Sequence, residues 1–417
     1  MGIMNQPQFG QKLKAMRVAS GMTQTALAGN GMSTPYLSRL ESGARPPTEK
    51  AVAYLAERLD VPLDAFAESE QGSTKTAGTR TEPASLACAL AAAASGQARD
   101  LELLEEHVAA DEGKNPFLDW QAQWMLADFK RTTGDHEAER GYLRQATGLS
   151  DRLALPELRV RARTRLARCL RALGDNEESR LLAAEALTIA RDHELTVADT
   201  AGTLLVLVSA EVESGRLADA EAHADELLAM VSDETGPLPV KALWTAATLH
   251  VRQGDPAQAR SLLAQALERL DSREDLVLWV RLRLAAASLS LQLEPAETEA
   301  AAAWLDEATP AVHLIGAPQQ RQELRALRAH LAFHEGRTAD ARALHDSLVD
   351  DQVLLSFRDR TRLAILHNRL LFHEGRSGEG SAGLRALAQQ AQVSASLDLA
   401  AETWRILAEC LSGQGGG

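Results

Sequence analysis

The chain has 417 residues and a formal net charge of −14, and aromatic residues make up only 4% of it. That length exceeds what one hydrophobic core organises and asks for several domains or a repeat array, while an alanine- and leucine-rich composition with little β-branched clustering points to an all-α protein. No apolar run reaches the roughly 18 residues a membrane helix needs, residues 1–7 lack the basic-then-apolar order of a leader, and Cys88, Cys169 and Cys410 form no C-x-x-C pair, so the expectation is a cytoplasmic protein with buried thiols and no disulfide or zinc framework.

The charge is unevenly spread. Residues 1–56 hold Lys12, Lys14, Arg17, Arg39, Arg45 and Lys50 against Glu41 and Glu49, a balance of +4, and the remainder stands at −18. A basic head on an acidic body attracts phosphate at one end and repels it elsewhere.

In chain order, Phe9–Ala19 forms a first helix with Phe9, Leu13 and Met16 on one face and Lys12, Lys14 and Arg17 free for a nucleic-acid backbone. Thr23–Gly43, TQTALAGNGMSTPYLSRLESG, then reads as a helix-turn-helix. Thr23 is an N-cap, Ala26 and Leu27 point inward, and residues 29–31 break the helix; Ser33 caps a second helix, Pro35 sits in its first turn, Leu37 and Leu40 face the core, and Gly43 ends it. Short or forked side chains remain outward, Thr34, Pro35, Ser38 and Arg39, of the kind that can approach base edges. Thr48 caps a further helix to Leu59, with Val52, Leu55 and Leu59 inward, and Pro62 opens a short fifth one ending near Phe66.

The stretch from about Phe9 to Phe66 resembles the lambda-repressor-like, XRE-type DNA-binding domain, through MTQ at 22–24, YLSRLESG at 36–43, Arg45-Pro46-Pro47 and LAERLDVPLDAF at 55–66. The resemblance implies a phosphate contact from Gln24 and a reading surface of Ser33, Thr34, Pro35, Tyr36, Ser38 and Arg39, with Arg45 beside it. That family usually carries one more residue between Ala28 and Ser33; here only residues 29–32 intervene, with Met32 as the apolar anchor. The expected organisation is a head at 1–67, a flexible Gly/Ser/Thr-rich linker at 68–83, and a repeat domain at 84–412.

The repeat shows in its turns. Gly96, Gly134, Gly174, Gly215, Gly254, Glu294-Pro295, Gly336, Gly375 and Gly413 follow one another at intervals of 38 to 42 residues. Seven positions before a turn come Ala89, Ala127, Ala167, Val208, Ala247, Ala287 and Ala329, and five after it Ser179, Ala220, Ala259, Ala341 and Gly380; small residues there let antiparallel helices approach closely. This order resembles the tetratricopeptide repeat, lengthened by about one helical turn, and the combination with an XRE-type head is similar to the peptide-sensing RRNPP receptors. The resemblance implies a right-handed superhelix of helix pairs closed by a lone helix at Leu397–Leu411, with Trp404 and Leu407 turned inward and residues 413–417 disordered.

Carrying the concave positions over gives Gln121, Trp124, Asp128, Arg161, Thr164, Arg168, Arg171, Lys241, Trp244, Thr248, Arg252, Arg281, His330, His334, Arg362, Arg369 and His373 as an inner lining. Of these, Trp124, Asp128, Arg161, Arg168, Arg171, Lys241, Trp244, Arg281, Arg362 and Arg369 are the candidate ligand residues. A basic lining suits a carboxylate, such as a peptide C-terminus; the alternative is that these arginines pair with acids on neighbouring helices. The histidines of the repeated Phe-His-Glu-Gly-Arg at 333–337 and 372–376 lack a third convergent ligand, so no metal is expected. No catalytic or cofactor motif occurs. The expected function is sequence-specific, dimeric binding to a palindromic DNA operator under control of a short peptide. The alternative is an adaptor governed by a protein partner, or by a non-peptide small molecule.

Overall fold

The computed structural model describes residues 8–20, 22–29, 31–43, 45–59, 61, 66, 82–94, 96–110, 115–349 and 354–414. These form two compact units, residues 1–79 and 80–417, and among the described residues the regular structure is entirely helical, in 21 helices. The linker expected at 68–83 lies outside the described residues as far as residue 81, and Glu82 and Pro83 already open a helix.

The first unit contains α1 (Gln8–Ala19), α2 (Gln24–Ala28), α3 (Thr34–Glu41) and α4 (Glu49–Leu59). Phe9, Leu13, Leu27, Leu37, Leu40, Val52, Leu55, Leu59 and Phe66 close one core, with Met16 and Met32 packed at its edge. Of the expected fifth helix, residues 62–65 lie outside the described residues; Phe66 is buried with its ring 5.3 Å from that of Phe9. Ala26 is exposed and Ala28 takes the inward place beside Leu27, because α2 is only five residues long and presents its last turn to the core.

The second unit stacks helices in pairs: α5 (Glu82–Ala93) with α6 (Ala98–Ala110), α7 (Pro116–Thr133) with α8 (His136–Leu153), α9 (Pro156–Leu173) with α10 (Asn176–Asp192), and α11 (Val197–Glu213) with α12 (Leu217–Met230). There follow α13 (Pro237–Gln253) with α14 (Pro256–Glu268), α15 (Leu276–Gln292) with α16 (Thr298–Ile315), α17 (Pro318–His334) with α18 (Thr338–Val349), α19 (Phe357–His373) with α20 (Ser377–Val393), and finally α21 (Leu397–Gln414). Eight of the nine evenly spaced turns separate the helices of a pair. Gly413 instead lies inside α21. Leu407 is buried as expected, whereas Trp404 is exposed.

Small residues work as the spacing demands. Ala127, Ala167, Val208, Ala247, Ala287 and Ala329 are fully buried, and Ser179 donates its hydroxyl to the Ala167 carbonyl at 2.7 Å, a contact possible only where two helices nearly touch. In the α19/α20 pair the small position is filled by Asn368, and the facing helix compensates with glycines: a Cβ at Gly383 would stand in the space of the Asn368 side-chain amide, and one at Gly380 would lie 2.8 Å from the Asn368 carbonyl oxygen and 2.7 Å from the Phe372 ring.

From α9 onward the odd-numbered helices touch in series, and α19 then packs on α9 and α21 on α11. Gly174, in a left-handed turn with φ 97°, admits the Phe357 ring where a side chain would stand 2.7 Å from it, and the Asn176 amide donates to Ser396 Oγ at 2.7 Å. The array therefore returns on itself.

Gly380→Ala is expected to destabilise the repeat unit by about 1–3 kcal/mol, since a backbone oxygen must move. Gly378→Ala on the same helix, where a methyl meets open space, should hold or raise stability. Denaturant melts of the two variants compare them directly.

Candidate functional sites

In the first unit Thr23 Oγ1 accepts from the Ala26 N–H at 3.1 Å and Ser33 Oγ from the Tyr36 N–H at 3.3 Å, so both motif helices start where the sequence places their caps. The short turn between them is clamped from α4: the Tyr54 hydroxyl donates to the Ala28 carbonyl at 2.9 Å and accepts from the Gly31 N–H at 3.1 Å, and its ring occupies the space a Cβ on Gly31 would need. Tyr54 thus fills the room left by the missing residue.

On α3, Pro35, Ser38 and Arg39 are exposed and Thr34 and Tyr36 half-buried; Ser33, just before the helix, is exposed. Arg39 makes no hydrogen bond or ion pair with the described residues through its guanidinium, and the Arg45 guanidinium lies over the Tyr36 ring at 5.1 Å. Gln24 is placed differently from a bare phosphate contact. Its amide donates to Glu41 at 2.8 Å, within a network in which Arg17 also reaches Glu41 at 2.6 Å and the Met22 carbonyl at 2.8 Å. Burial alone would raise the Glu41 pKa, but hydrogen bonds from Arg17 and Gln24 outweigh it and hold it below the usual carboxylate value.

In the second unit a cavity of about 780 Å³ opens between α13, α15, α17, α19 and α21, with the start of α12 at its edge. Of the expected ligand residues Arg362 and Arg369 line it, as do Arg252, His330 and His334. An ion-pair belt crosses its wall. Arg171 meets Glu213 at 2.6 Å; Arg358 lies 3.4 Å from Glu213 and 2.7 Å from Asp398; Arg252 Nε lies 3.1 Å from Asp398, at an angle unsuited to a hydrogen bond. Arg252 and Arg362 both donate to Gln292 Oε1 at 2.6 Å, and Arg362 reaches Glu402 at 3.1 Å. Burial by itself would depress Arg358, yet Asp398 and Glu213 raise it well above its ordinary value; Arg252, crowded by burial and by Arg362 and Arg358, is pushed down to about 10.

Other expected ligand residues are engaged locally. Arg161 grips Asp199 through two nitrogens, at 2.8 and 3.3 Å. Asp128 accepts from Arg131 and Arg165, and Arg165 also lies over the Trp124 ring at 4.6 Å while Trp124 stacks on Trp120. A different group stays uncompensated. Arg168 and Lys241 have no hydrogen-bond or ion-pair partner among the described residues, and Arg281 only overlies the Trp244 ring at 5.8 Å. Arg168 keeps access to solvent, but surrounding protein together with Arg281, Arg171, Arg165 and Arg131 pushes it down to about 10. Burial with Arg168 and Arg281 likewise lowers Lys241. This cationic group spans α9, α13 and α15.

Sequence reasoning missed Arg358 and the acids Glu213, Asp398 and Glu402, because their partners are far along the chain. It also missed a buried group in which His136 Nδ1 lies 3.0 Å from Glu139 while Cys169 donates to the His136 carbonyl at 3.3 Å. Burial and Glu139 raise the Cys169 thiol far above its ordinary value, so it stays protonated. Of the other cysteines Cys88 is exposed and Cys410 half-buried. Among the described residues no helix is long and apolar enough to cross a membrane.

Residues 8–68 match the family described as helix-turn-helix domain. No curated protein matches the chain. Among solved structures it is similar to the Rap conjugation gene regulator of the plasmid pLS20 in complex with the Phr* peptide (TM-score 0.55, 13% identity, covering 94% of this chain and 98% of that one). It is also similar to a Rap protein complexed with competence and sporulation factor (TM-score 0.52, 12% identity, 97% and 98% covered). These likenesses establish a shared helical-repeat fold.

Two variants probe the networks. Glu41→Gln strands the Arg17 charge and should cost the head about 3 kcal/mol, read as lost hydrogen-exchange protection of head peptides in the full chain. Because the Glu41 pKa is lowered on folding, its contribution is present above the usual carboxylate range and is lost as pH falls through the lowered value, and the variant should lack that acid loss. Arg358→Met should lower the stability of the repeat unit by about 3–5 kcal/mol, seen in its thermal melt, while Arg376→Met, at an exposed pair, should leave the melt unchanged.

Proposed function

We propose that this chain, a helix-turn-helix head joined to the repeat fold it shares with Rap proteins, is a sequence-specific transcriptional regulator whose hold on DNA is set by a short peptide bound in the repeat unit. The observation that carries the reading is the pairing of two surfaces in one chain. One is an exposed Ser38 and Arg39 on a capped second motif helix; the other is a walled, charged cavity in a fold whose relatives include one solved with the Phr* peptide. The head is a DNA-binding type of domain and the matched fold is that of a gene regulator, so the chain is read as a regulator and not as an enzyme.

Arg39 and Ser38 would read base edges from the major groove, with Thr34, Pro35 and Ser33 at the helix start and Lys12, Lys14 and Arg45 on the backbone. Gln24 would reach a phosphate only with the oxygen and nitrogen positions its bond to Glu41 leaves over. The protein would act in the cytoplasm as a dimer on a palindromic site. The last repeats supply the seat for pairing, since Val393, Trp404 and Leu411 are exposed there. A peptide controls such a dimer only by binding one arrangement of the array better than another.

Selection of genomic DNA by the purified full-length chain should return a two-fold symmetric site, and a peptide fraction of the producing cells should change its occupancy, with protease treatment of that fraction abolishing the change. A site that no peptide fraction moves would favour control by a protein partner. Arg39→Ala should weaken binding to the selected site by about 10- to 100-fold while changing binding to random DNA far less, measured by gel shift at fixed salt.

A further inference from the structure

The cavity wall carries its charges in a fixed order. α17 and α19 pack side by side in parallel, because Glu323 and Asp359 near their starts line the same cavity while near their ends the Phe333 ring meets Arg369 at 4.3 Å and His373 at 5.3 Å. Along this wall the acids Glu323 and Asp359 come first, then the apolar Leu327 and Ile365, then His330 and Arg369. The belt of Arg252, Arg362, Asp398 and Glu402 pairs its charges internally; neither end of the wall does.

At the first end Glu323 makes no hydrogen bond or ion pair with the described residues, and Asp359 beside it carries the same sign and is held by Ser356 of its own helix cap at 2.6 Å. Burial and Asp359 drive the Glu323 carboxyl well above the ordinary range, and Arg281 only partly offsets them. With no hydrogen bond or ion pair to hold its charge, the group rests as a neutral carboxyl, and an arriving ammonium would ionise it. At the other end Arg369 lies on an aromatic face with no carboxylate in ion-pair contact, and burial lowers it; His330, buried among Arg362, His334 and Arg369, is held neutral.

We propose that the cavity takes a linear peptide of about four to five residues with both termini free, its ammonium at Glu323 and Asp359, its carboxylate at Arg369, and apolar side chains between. The length follows from the wall: Asp359 and Arg369 are separated by about 15 Å of helix at 1.5 Å per residue, and an extended chain advances about 3.3 Å per residue. A volume of about 780 Å³ is of the size that encloses such a ligand. A longer peptide leaves one terminus outside, and a capped one leaves a charge of the wall unpaired. The proposal rests on the peptide-regulator reading above and adds length, direction and end chemistry to it.

The test uses the full-length chain and synthetic random peptide libraries of three to ten residues, each with free ends, N-acetylated, or C-amidated, with retained peptides identified by mass spectrometry and then titrated singly. Retention should peak at four to five residues, and either cap should weaken binding by about 10- to 100-fold. Glu323→Gln should remove the sensitivity to acetylation and keep that to amidation; Arg369→Gln should do the reverse. Capping the ligand on the unaltered protein makes the same test should a variant fail to fold, and Glu323→Gln, which replaces an unpartnered carboxyl by a neutral amide of the same shape, should melt no lower than the parent. Retention of peptides regardless of capping, or best at eight or more residues, overturns the proposal while the peptide reading stands. Retention of no peptide at any length overturns both.

Discussion

The guanidinium of Arg358, held between Glu213 of α11 and Asp398 of α21, is the contact through which the last repeats are tied to the middle of the array. Taking three such charges out of water is costly, and their attraction repays it only if each is placed with little freedom. Placement is supplied by close packing: Phe357 over Gly174 sets the start of α19, and the Asn176–Ser396 hydrogen bond sets the start of α21. With those starts fixed, the faces of α17, α19 and α21 have a definite relation, and the cavity between them has walls with a definite charge order. The site depends on the closure before it depends on any residue that would touch a ligand.

The head follows the same logic on a smaller scale. Arg17, Gln24 and Glu41 join α1, α2 and α3, and Tyr54 joins α4 to the turn. A shortened turn would otherwise leave the angle between the motif helices undetermined. One phenol ring, bonded at both sides of the turn, fixes it. Gln24 therefore has a structural duty whatever else it contacts, which a pattern of residue types does not reveal.

What could be read in the sequence was what is local. Helix caps at Thr23 and Ser33, the glycine turns, and small residues seven positions before most turns are consequences of contacts within one helix or one helix pair, and the turns and small residues recur at a constant spacing because the same steric problem recurs. The exception at Asn368 was silent, since the room its side chain finds at Gly383 is a matter of two helices facing each other. Gly413 keeps the period without making a turn, because a period alone does not say which glycine breaks a helix. The lining arginines were found by type and position, but their partners were not. Asp398 approaches Arg252 and Arg358 only after the array has come around, and Asn176 meets a residue 220 positions away. No periodicity encodes such a meeting. The unpaired state of Arg168 and Lys241 is equally invisible until every neighbour has been placed.

A stack of helix pairs in which each touches only its neighbours can fray from either end, one pair at a time, and a disturbance in one pair fades along the row. Contacts of α19 with α9 and of α21 with α11 change that behaviour, because the last helices cannot loosen without disturbing the middle of the stack. The array is then less like a spring than like a hoop. A displacement of one wall would be passed around the closed helices and not fade along a row.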